Sequence, residues 1–498
     1  MFSPSLEDVK EIAKNEEYRR IPISYELFSD IATPIEVLRI LKGISNHCYM
    51  LESIEDSQKW GRYSFLGFNP LLEFTCQNGV VQIKGDADFN ELNDDVVTIK
   101  TDNPGEVIKD LISKNKSPKL DYLPPFTGGF VGYFAYDYIK YAEPSLNLDA
   151  ENQDQFKDID LMLFDKVIAF DTFKQKIIII SNMKTDDLER NYQNACENLK
   201  CIADLIKEGK KAEIEPLELK SEFKPAFSRE KYCDMVNKAK DYIKEGDIFQ
   251  VVLSNRIEAD ISGSLFDTYR VLRTTNPSPY MFYFSSNDIE IAGASPETLV
   301  KLTDKKLYTF PLAGTRPRGL TDEEDLMLEK DLLADEKELA EHNMLVDLGR
   351  NDIGRIAEIG SVTVDKYLSI ERFSHVMHIG STVSGILRSD LDSLAAIDSI
   401  LPAGTLSGAP KIRACEIINE LEDNKRGIYG GAIGYLDLSG NLDTCISIRI
   451  AFARNNKVFI RSGAGIVADS VPDNEFDECL NKARAVINAL EISNGGLE

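Results

Sequence analysis

The chain has 498 residues, 43% of them hydrophobic, and a formal net charge of −26 at pH 7. That length allows two or three domains or one large one, and the charge argues against nucleic acid or an anionic membrane surface as a partner. No apolar run reaches the roughly 20 residues of a membrane span, and the opening MFSPSLEDVKEIAK lacks the basic and apolar regions of a secretion signal, so a cytoplasmic protein is expected. The eight cysteines form no C-x-x-C pair and there are four histidines, so neither a zinc ribbon nor a histidine-rich metal centre is expected. In a reducing compartment most of the thiols should be buried.

In chain order, the first zone, residues 1–211, opens with a helix and then alternates short strand-like runs with turns. Val80–Ile83 and Lys176–Ile180 read as strands on their β-branched content. Phe126–Tyr133, FTGGFVGY, mixes glycine with aromatic and β-branched residues, which predicts a strand closely approached by other backbone. A charged stretch with little apolar periodicity follows, and residues 212–227 read as a linker to a larger zone, 228–498. There Tyr232, Met235, Val236, Ala239 and Ile243 recur at helical spacing, and Gly246 can end that helix. Asp247–Ser254, DIFQVVLS, reads as a strand in which Gln250 shares a face with Ile248 and Val252. A polar side chain there is either a hydrogen-bonded core group or a group lining a cleft. Strands and helices recur with long loops, so the fold class expected is α+β. With no Walker loop and no G-x-G-x-x-G after a strand, no nucleotide cofactor is implied.

Two predicted helices carry acids at a spacing suited to a hard cation. Glu338 and Glu341 are three apart in one; Glu475 and Glu478 are three apart in another, with Lys482 one turn on, and residues three or four apart share a helix face. Carboxylate oxygens suit Mg²⁺, which keeps room for water or an anionic substrate. Each pair also has a plainer reading. Glu338 completes a capping box begun by Asp335, and Glu341 lies on a solvated face. Glu475, Glu478 and Lys482 form the polar side of a helix whose core stripe is Phe476, Leu480, Ala483 and Ile487. Val458–Ser462 reads as a strand followed by Gly463-Ala464-Gly465, which is either a plain turn or a nest of N–H groups for a carboxylate. Cys445–Arg449, CISIR, alternates strictly and predicts a strand whose Arg449 either forks a carboxylate or pairs with a structural acid. Glycine-rich runs at Pro311–Gly319, Gly404–Lys411 and Tyr429–Tyr435, set among these acids, point to a cleft.

The ordered segments GDIFQVVLS, NPSPYMFY, GASPETLV, PLAGTRPRG, EKELAEHNMLVDLGRND, SHVMH, GTLSGAPK, YGGAIGY, DTCISIR, GAGIVADS and the E-x-x-E-x-x-x-K of Glu475–Lys482 resemble the chorismate-utilising enzyme family over nearly all of Gly246–Lys482. The resemblance implies a β-sandwich-like α+β core with surrounding helices and a deep active-site cleft, Mg²⁺ as cofactor and chorismate as substrate. It implies Glu341 and Glu478 as metal ligands, with Glu338 and Glu475 in support. It implies Gly314, Thr315, Tyr429, Arg449, Gly463, Ala464, Gly465 and Lys482 as the substrate-binding set. Glu297 matches the family acid that protonates the leaving hydroxyl, and His378, Gln250 and Thr405 match further residues at the reacting ring.

Two positions bear on the reaction the resemblance implies. Relatives that add water carry a lysine where this chain has Gln250, and relatives that form aminodeoxychorismate carry one where it has Ala313. Neither side chain here supplies that amine, so the implied reaction is amination of chorismate to anthranilate with release of pyruvate, a step of tryptophan synthesis; aminodeoxychorismate formation is the alternative. No cysteine lies in a G-x-C-x-G turn, so ammonia is expected from a separate glutamine amidotransferase subunit in a hetero-oligomer. Leu51-Glu52-Ser53 and NPSPYM resemble the family's pocket for tryptophan as feedback inhibitor. The lining so implied is Glu52, Ser53, Asn276, Pro277, Pro279, Tyr280, Met281 and Cys445, and the plainer reading of NPSPYM is a rigid proline turn. Half of that regulatory pocket then belongs to residues 1–211, and the catalytic residues to 228–498.

Overall fold

The computed structural model describes residues 2–53, 61–85, 96–152, 154–372 and 376–497. Of the SHVMH segment, Ser374 and His375 lie outside the described residues. Among the described residues the strands form two antiparallel sheets, one of 14 strands and one of 12. The sheets face each other: Tyr49, Phe282, Phe284 and Phe452 of the first meet Tyr133, Phe164, Ile433 and Tyr435 of the second in one apolar cluster. Helices cover the outer face of each sheet through separate clusters. The architecture is therefore α+β with a β-sandwich core, as the sequence led us to expect.

A strand buried on both faces reads as a continuous apolar run. In Lys176–Lys184, Ile177 and Ile179 face the outer helices while Ile178 and Ile180 face the opposite sheet. FTGGFVGY forms the strand Gly129–Phe134, and a Cβ on Gly132 would lie 2.1 Å from the Asp160 carbonyl oxygen, the close approach its composition predicts. Both sheets draw strands from residues 1–211 and from 228–498. Residues 212–227 contribute Glu218–Leu219 and Lys224–Pro225, two short strands paired with Gln250–Ser262.

The elements that position the site are β1 (Cys48–Glu52), β2 (Gln250–Ser262), β3 (Tyr280–Ser285), β4 (Glu290–Ser295), β5 (Thr298–Thr303), β6 (Leu312–Pro317), β7 (Val376–Ile386), β8 (Leu442–Ile446), β9 (Ile450–Arg454) and β10 (Lys457–Ile466), with helices α1 (Arg229–Glu245), α2 (Phe266–Thr275), α3 (Glu336–Gly354), α4 (Lys411–Glu422) and α5 (Pro472–Ser493). α1 starts where the Ser228 hydroxyl accepts from the Lys231 N–H and stops at Gly246 in the left-handed conformation, φ 86°.

The chain passes from the first sheet to the second between β4 and β5, at Pro296–Glu297, and returns between β8 and β9, at Ser447–Arg449. CISIR is therefore not one strand. The alternation holds to Ile446, and Arg449 adopts φ 52° as the chain turns out of one sheet into the other; local alternation carries no sign of a change of sheet. GAG is corrected in the opposite sense. β10 runs through Gly463, Ala464 and Gly465, which pair with Ser254, Leu253 and Val252, so the segment is an extended ladder rather than a turn or nest. The core face of α5 is Phe476, Cys479, Ala483, Val486 and Leu490. Leu480 and Ile487 are only partly buried at its edge, because the helix packs at once on α1, α2 and β10.

Beneath β2 and β10 the buried carboxylate of Glu422, the last residue of α4, accepts from the Ser254 N–H (2.8 Å), Arg426 Nε (2.9 Å) and Arg461 Nη2 (2.8 Å). Burial acts to raise its pKa, but the Arg426 and Arg461 guanidinium groups hold it below the ordinary carboxylate value. Removing one member of a buried ion network strands the rest, at a cost of about 3–5 kcal/mol. Glu422→Gln is therefore expected to lower the urea midpoint of unfolding markedly, and a midpoint equal to wild type would contradict this role.

Candidate active site

Glu297 and Arg449, carried by the two sheet crossings, face one chamber of about 140 Å³ whose walls include Thr405, Tyr429, Gly463, Gly465 and Lys482. The crossings are stitched side by side: the Ile446 N–H donates to the Glu297 carbonyl (2.9 Å) and the Ser295 hydroxyl donates to the Ile446 carbonyl (2.7 Å). The Thr405 hydroxyl donates to Glu297 Oε2 (3.2 Å). Burial raises the Glu297 pKa against the opposing effects of Thr405, Arg449 and Lys482, so this carboxyl is suited to hold a proton and give it up. Arg449 forms no ion pair among the described residues; burial lowers its pKa and Glu297 acts to raise it. Arginine stays protonated in proteins, and a desolvated guanidinium without a counter-ion is unfavourable. The chamber therefore suits an anion.

β9 pairs with β10 only as far as Ile460, so on that side Arg461–Ile466 presents an open strand edge to the chamber. Packing explains the glycines. A Cβ on Gly463 would stand 2.6 Å from the Leu253 carbonyl and 3.0 Å from the Tyr429 hydroxyl, and one on Gly465 would stand 2.6 Å from Gln250 Nε2. Gln250 is buried with its amide against Gly465. Ala464 turns its methyl away from the chamber into the core behind it, beside Leu253.

Arg449 and Lys482 also border a wider cleft of about 760 Å³, with Thr315, Asn276 and Glu478. The chamber is thus the inner end of that cleft. Lys482 Nζ donates to Glu478 (2.7 Å) and to the Gly463 carbonyl (3.2 Å). Burial raises the Glu341 pKa first, then the neighbouring charge of Glu338, with Glu478 adding to it from the other helix. Burial and Glu478 likewise raise that of Glu475. Glu338 does not complete the capping box that its spacing from Asp335 allows. Asp335 caps α3 alone, accepting from the Lys337 and Glu338 N–H groups. The Glu338 carboxylate lies instead 3.9 Å from Arg316, and 3.3 Å from where a Cβ on Gly314 would sit. Gly314 has φ 67°, a conformation that favours glycine.

These four carboxylates, on two helices with Lys337 and Lys482 among them, fit a divalent cation that takes few protein ligands and keeps several waters. They do not form a closed cage. Among the described residues, three acids with ligand atoms within 4.8 Å of one another occur elsewhere, at Glu73, Asp160 and Asp288, where Lys157 already lies 2.9 Å from Asp160.

His378 pairs in register with Thr315 across β6 and β7. Its Nδ1 lies 2.8 Å from the Gly314 carbonyl, so that nitrogen carries the hydrogen, and 3.1 Å from the Thr315 hydroxyl. Burial lowers its pKa. Thr315 borders the cleft, and His378, its partner on the same face of the ladder, lies beside it.

Of the eight residues expected to line a tryptophan pocket, four lie on two different faces and four in connecting segments. Glu52 and Met281, partners across β1 and β3, face α2. Tyr280 and Cys445 face the space between the sheets, and the Tyr280 hydroxyl donates to Asp443 (2.8 Å). Ser53 follows β1, while Asn276, Pro277 and Pro279 lie between α2 and β3. Ser53 Oγ and Asn276 Nδ2 are buried without a hydrogen-bond partner among the described residues. Sequence reading missed Arg461 and Ser462, which also line the chamber. The signal was an arginine inside an apolar strand, FIRS, hidden by reading the following GAG as a turn.

Residues 46–488 match the model of the chorismate binding enzymes, and the chain belongs to that family. Over 99% of each chain it is 46% identical to the anthranilate synthase component 1 of Acetivibrio thermocellus, and over 98% of each it is 44% identical to that of Aquifex aeolicus. Among solved structures it resembles the anthranilate synthase component I from Streptococcus pneumoniae, with a TM-score of 0.76 and 38% identity over 92% of this chain and 98% of that one.

The glycine at position 463 offers a direct check on the chamber wall. Gly463→Ala forces a methyl against backbone of β2 and is expected to destabilise the protein by about 1–3 kcal/mol, read as a lowered melting temperature. A melting temperature equal to wild type would show that β10 is not held as tightly as described.

Proposed function

We propose that this chain catalyses the Mg²⁺-dependent conversion of chorismate and ammonia to anthranilate, pyruvate and water. The observation that carries the reading is the pairing, in one chamber, of an acid suited to hold a proton, Glu297, with a guanidinium that forms no ion pair among the described residues, Arg449. Chorismate carries two carboxylates. Arg449 can fork one of them, while Lys482 and the open edge of β10 stand ready for the other. Ammonia adds at the ring carbon beside the ring carboxylate, and the C–O bond to the ring hydroxyl breaks as Glu297 delivers its proton, so that water leaves. The enolpyruvyl ether bond then breaks, the ring loses a proton and becomes aromatic, and pyruvate departs. Thr405 fixes the orientation of the Glu297 carboxyl throughout.

Gln250 has no basicity with which to activate water, and Ala313 has no amine with which to attack the ring, so both residues favour ammonia as nucleophile and anthranilate as product. Glu341 and Glu478 are the residues we assign to direct metal contact, with Glu338 and Glu475 supporting. When bound, Mg²⁺ supplies a positive charge to the ring carboxylate as negative charge spreads into it.

The ammonia source in this reading is a glutamine amidotransferase subunit, in keeping with the name component 1 borne by the relatives. Regulation is by tryptophan at Ser53 and Asn276, to which residues 1–211 contribute one half. Among the described residues no helix is long and apolar enough to cross a membrane, and the cysteines are free thiols; we place the protein in the cytoplasm.

The deciding experiment is an assay of purified protein with chorismate, Mg²⁺ and ammonium, read by anthranilate fluorescence. Folded protein that yields no anthranilate would sink the reading. Glu297→Gln should lower turnover by roughly 10²–10⁴-fold with chorismate still bound. Because burial raises the Glu297 pKa, its proton is retained at higher pH than in a free glutamate; at a fixed concentration of unprotonated ammonia, turnover should decline as pH rises through that raised value. A pH profile without a falling limb would count against Glu297 as the acid. Glu341→Gln should weaken Mg²⁺ binding by at least about tenfold, as titrated by calorimetry in the presence of chorismate, and undiminished affinity would remove it from the ligand set.

A further inference from the structure

Ser53 keeps its Oγ buried without a hydrogen-bond partner among the described residues, while the preceding Glu52 turns its side chain to α2. Its carboxylate is buried and accepts from three donors, all on α2: the Tyr269 hydroxyl (2.6 Å), Arg273 Nη2 (3.0 Å) and Arg273 Nε. A two-point arginine–carboxylate contact fixes direction as well as distance. Helix α2 is in turn fastened to α5. The Thr268 and Ser493 hydroxyls hydrogen-bond at 2.8 Å, both side chains fully buried, and Tyr269 and Leu272 share an apolar cluster with Val486 and Leu490. α5 carries Glu478 and Lys482 on the wall of the cleft, and Asn276, which ends α2, lines the same cleft.

We propose that the Arg273–Glu52 ion pair is a latch that ties occupancy of the pocket at Ser53 and Asn276 to the position of α5, making Arg273 a positioning residue for regulation of the active site. The inference rests on reading that pocket as a tryptophan site. A buried ion pair is often no more stabilising than apolar packing of the same volume, so its use here is geometric: β1 and α2 cannot shift independently while it holds. A ligand that bonds Ser53 Oγ and Asn276 Nδ2, which have no hydrogen-bond partner among the described residues, displaces the end of β1 relative to its free position. Through Arg273 that displacement reaches α2, and through Thr268–Ser493 it reaches α5, where it changes the placing of Glu478 and Lys482. The ligand thereby binds the two placements of α5 unequally, which is what inhibition at a distance requires.

The test compares wild type with Arg273→Gln, Arg273→Lys and Thr268→Val. Tryptophan affinity is measured by calorimetry with and without chorismate and Mg²⁺, and anthranilate formation is measured across tryptophan concentrations. In wild type, tryptophan and chorismate should weaken each other's binding by the same factor, within the usual range of about 5- to 150-fold. In Arg273→Gln, tryptophan should still bind, uninhibited turnover should stay near wild type, and that factor should fall towards one, with inhibition weakened at least about tenfold. Arg273→Lys should restore part of the coupling.

Arg273→Gln leaves the Glu52 charge with Tyr269 alone. If that variant does not fold, Thr268→Val still tests the same link at its far end and should reduce the coupling factor. Full inhibition with an unchanged factor in a folded Arg273→Gln, or loss of tryptophan binding itself in that variant, would overturn the latch. Wild type that binds no tryptophan would instead overturn the pocket reading on which it stands.

Discussion

Two of the places where the chain passes between the sheets decide the site. At Pro296–Glu297 it leaves the first sheet for the second, and at Ser447–Arg449 it returns; the Ile446–Glu297 and Ser295–Ile446 hydrogen bonds hold the two crossings together. A residue at a crossing belongs to neither ladder, so its side chain is free to face the gap between elements. That is how an acid and a guanidinium come to share one chamber in a protein whose sheets are otherwise filled with apolar side chains. The left-handed backbone at Arg449 is part of the same arrangement. Such a conformation at a non-glycine residue costs on the order of 1–3 kcal/mol and persists only where surrounding structure over-determines it. Here the ladders of β8 and β9 on either side do so.

Electrostatics divides the molecule into zones of opposite sign. The chain as a whole carries −26, yet the chamber is bordered by Arg449, Arg461 and Lys482. Arg461 is committed to Glu422, together with Arg426, and serves the floor of the chamber rather than a ligand. Lys482 is shared between Glu478 and the Gly463 carbonyl. Among the described residues Arg449 is left as the chamber cation that forms no ion pair. The acids of α3 and α5 stand at the wider end, where a dianionic substrate would meet like charge unless a divalent cation came between them.

Much of this was legible beforehand, because periodicity and residue type report burial faithfully when a strand or helix is regular. The strand in Lys176–Lys184, the helix ending at Gly246 and the acid spacing on α3 and α5 are of that kind. Three readings failed for a common reason. CISIR alternates to its end, but the fold breaks it at Ile446 to change sheets. GAG has the composition of a turn, but pairing with the 13-residue strand β2 holds it extended. Glu338 has capping-box spacing, but its carboxylate lies towards Arg316 instead. In each case a partner distant in sequence outweighed a local preference of a kcal/mol or so.

By itself, the order of residues determined the α+β class, the two acid-bearing helix faces and the family to which the segments from Gly246 to Lys482 bear likeness, since all of these rest on local spacing and residue chemistry. Only the tertiary structure decided that Glu297 and Arg449 share a chamber, that Glu52 turns from Ser53 towards Arg273, and that His378 lies beside Thr315. Those facts depend on contacts between segments tens to hundreds of residues apart, and no local pattern records which distant backbone or side chain will fill the space beside a given atom.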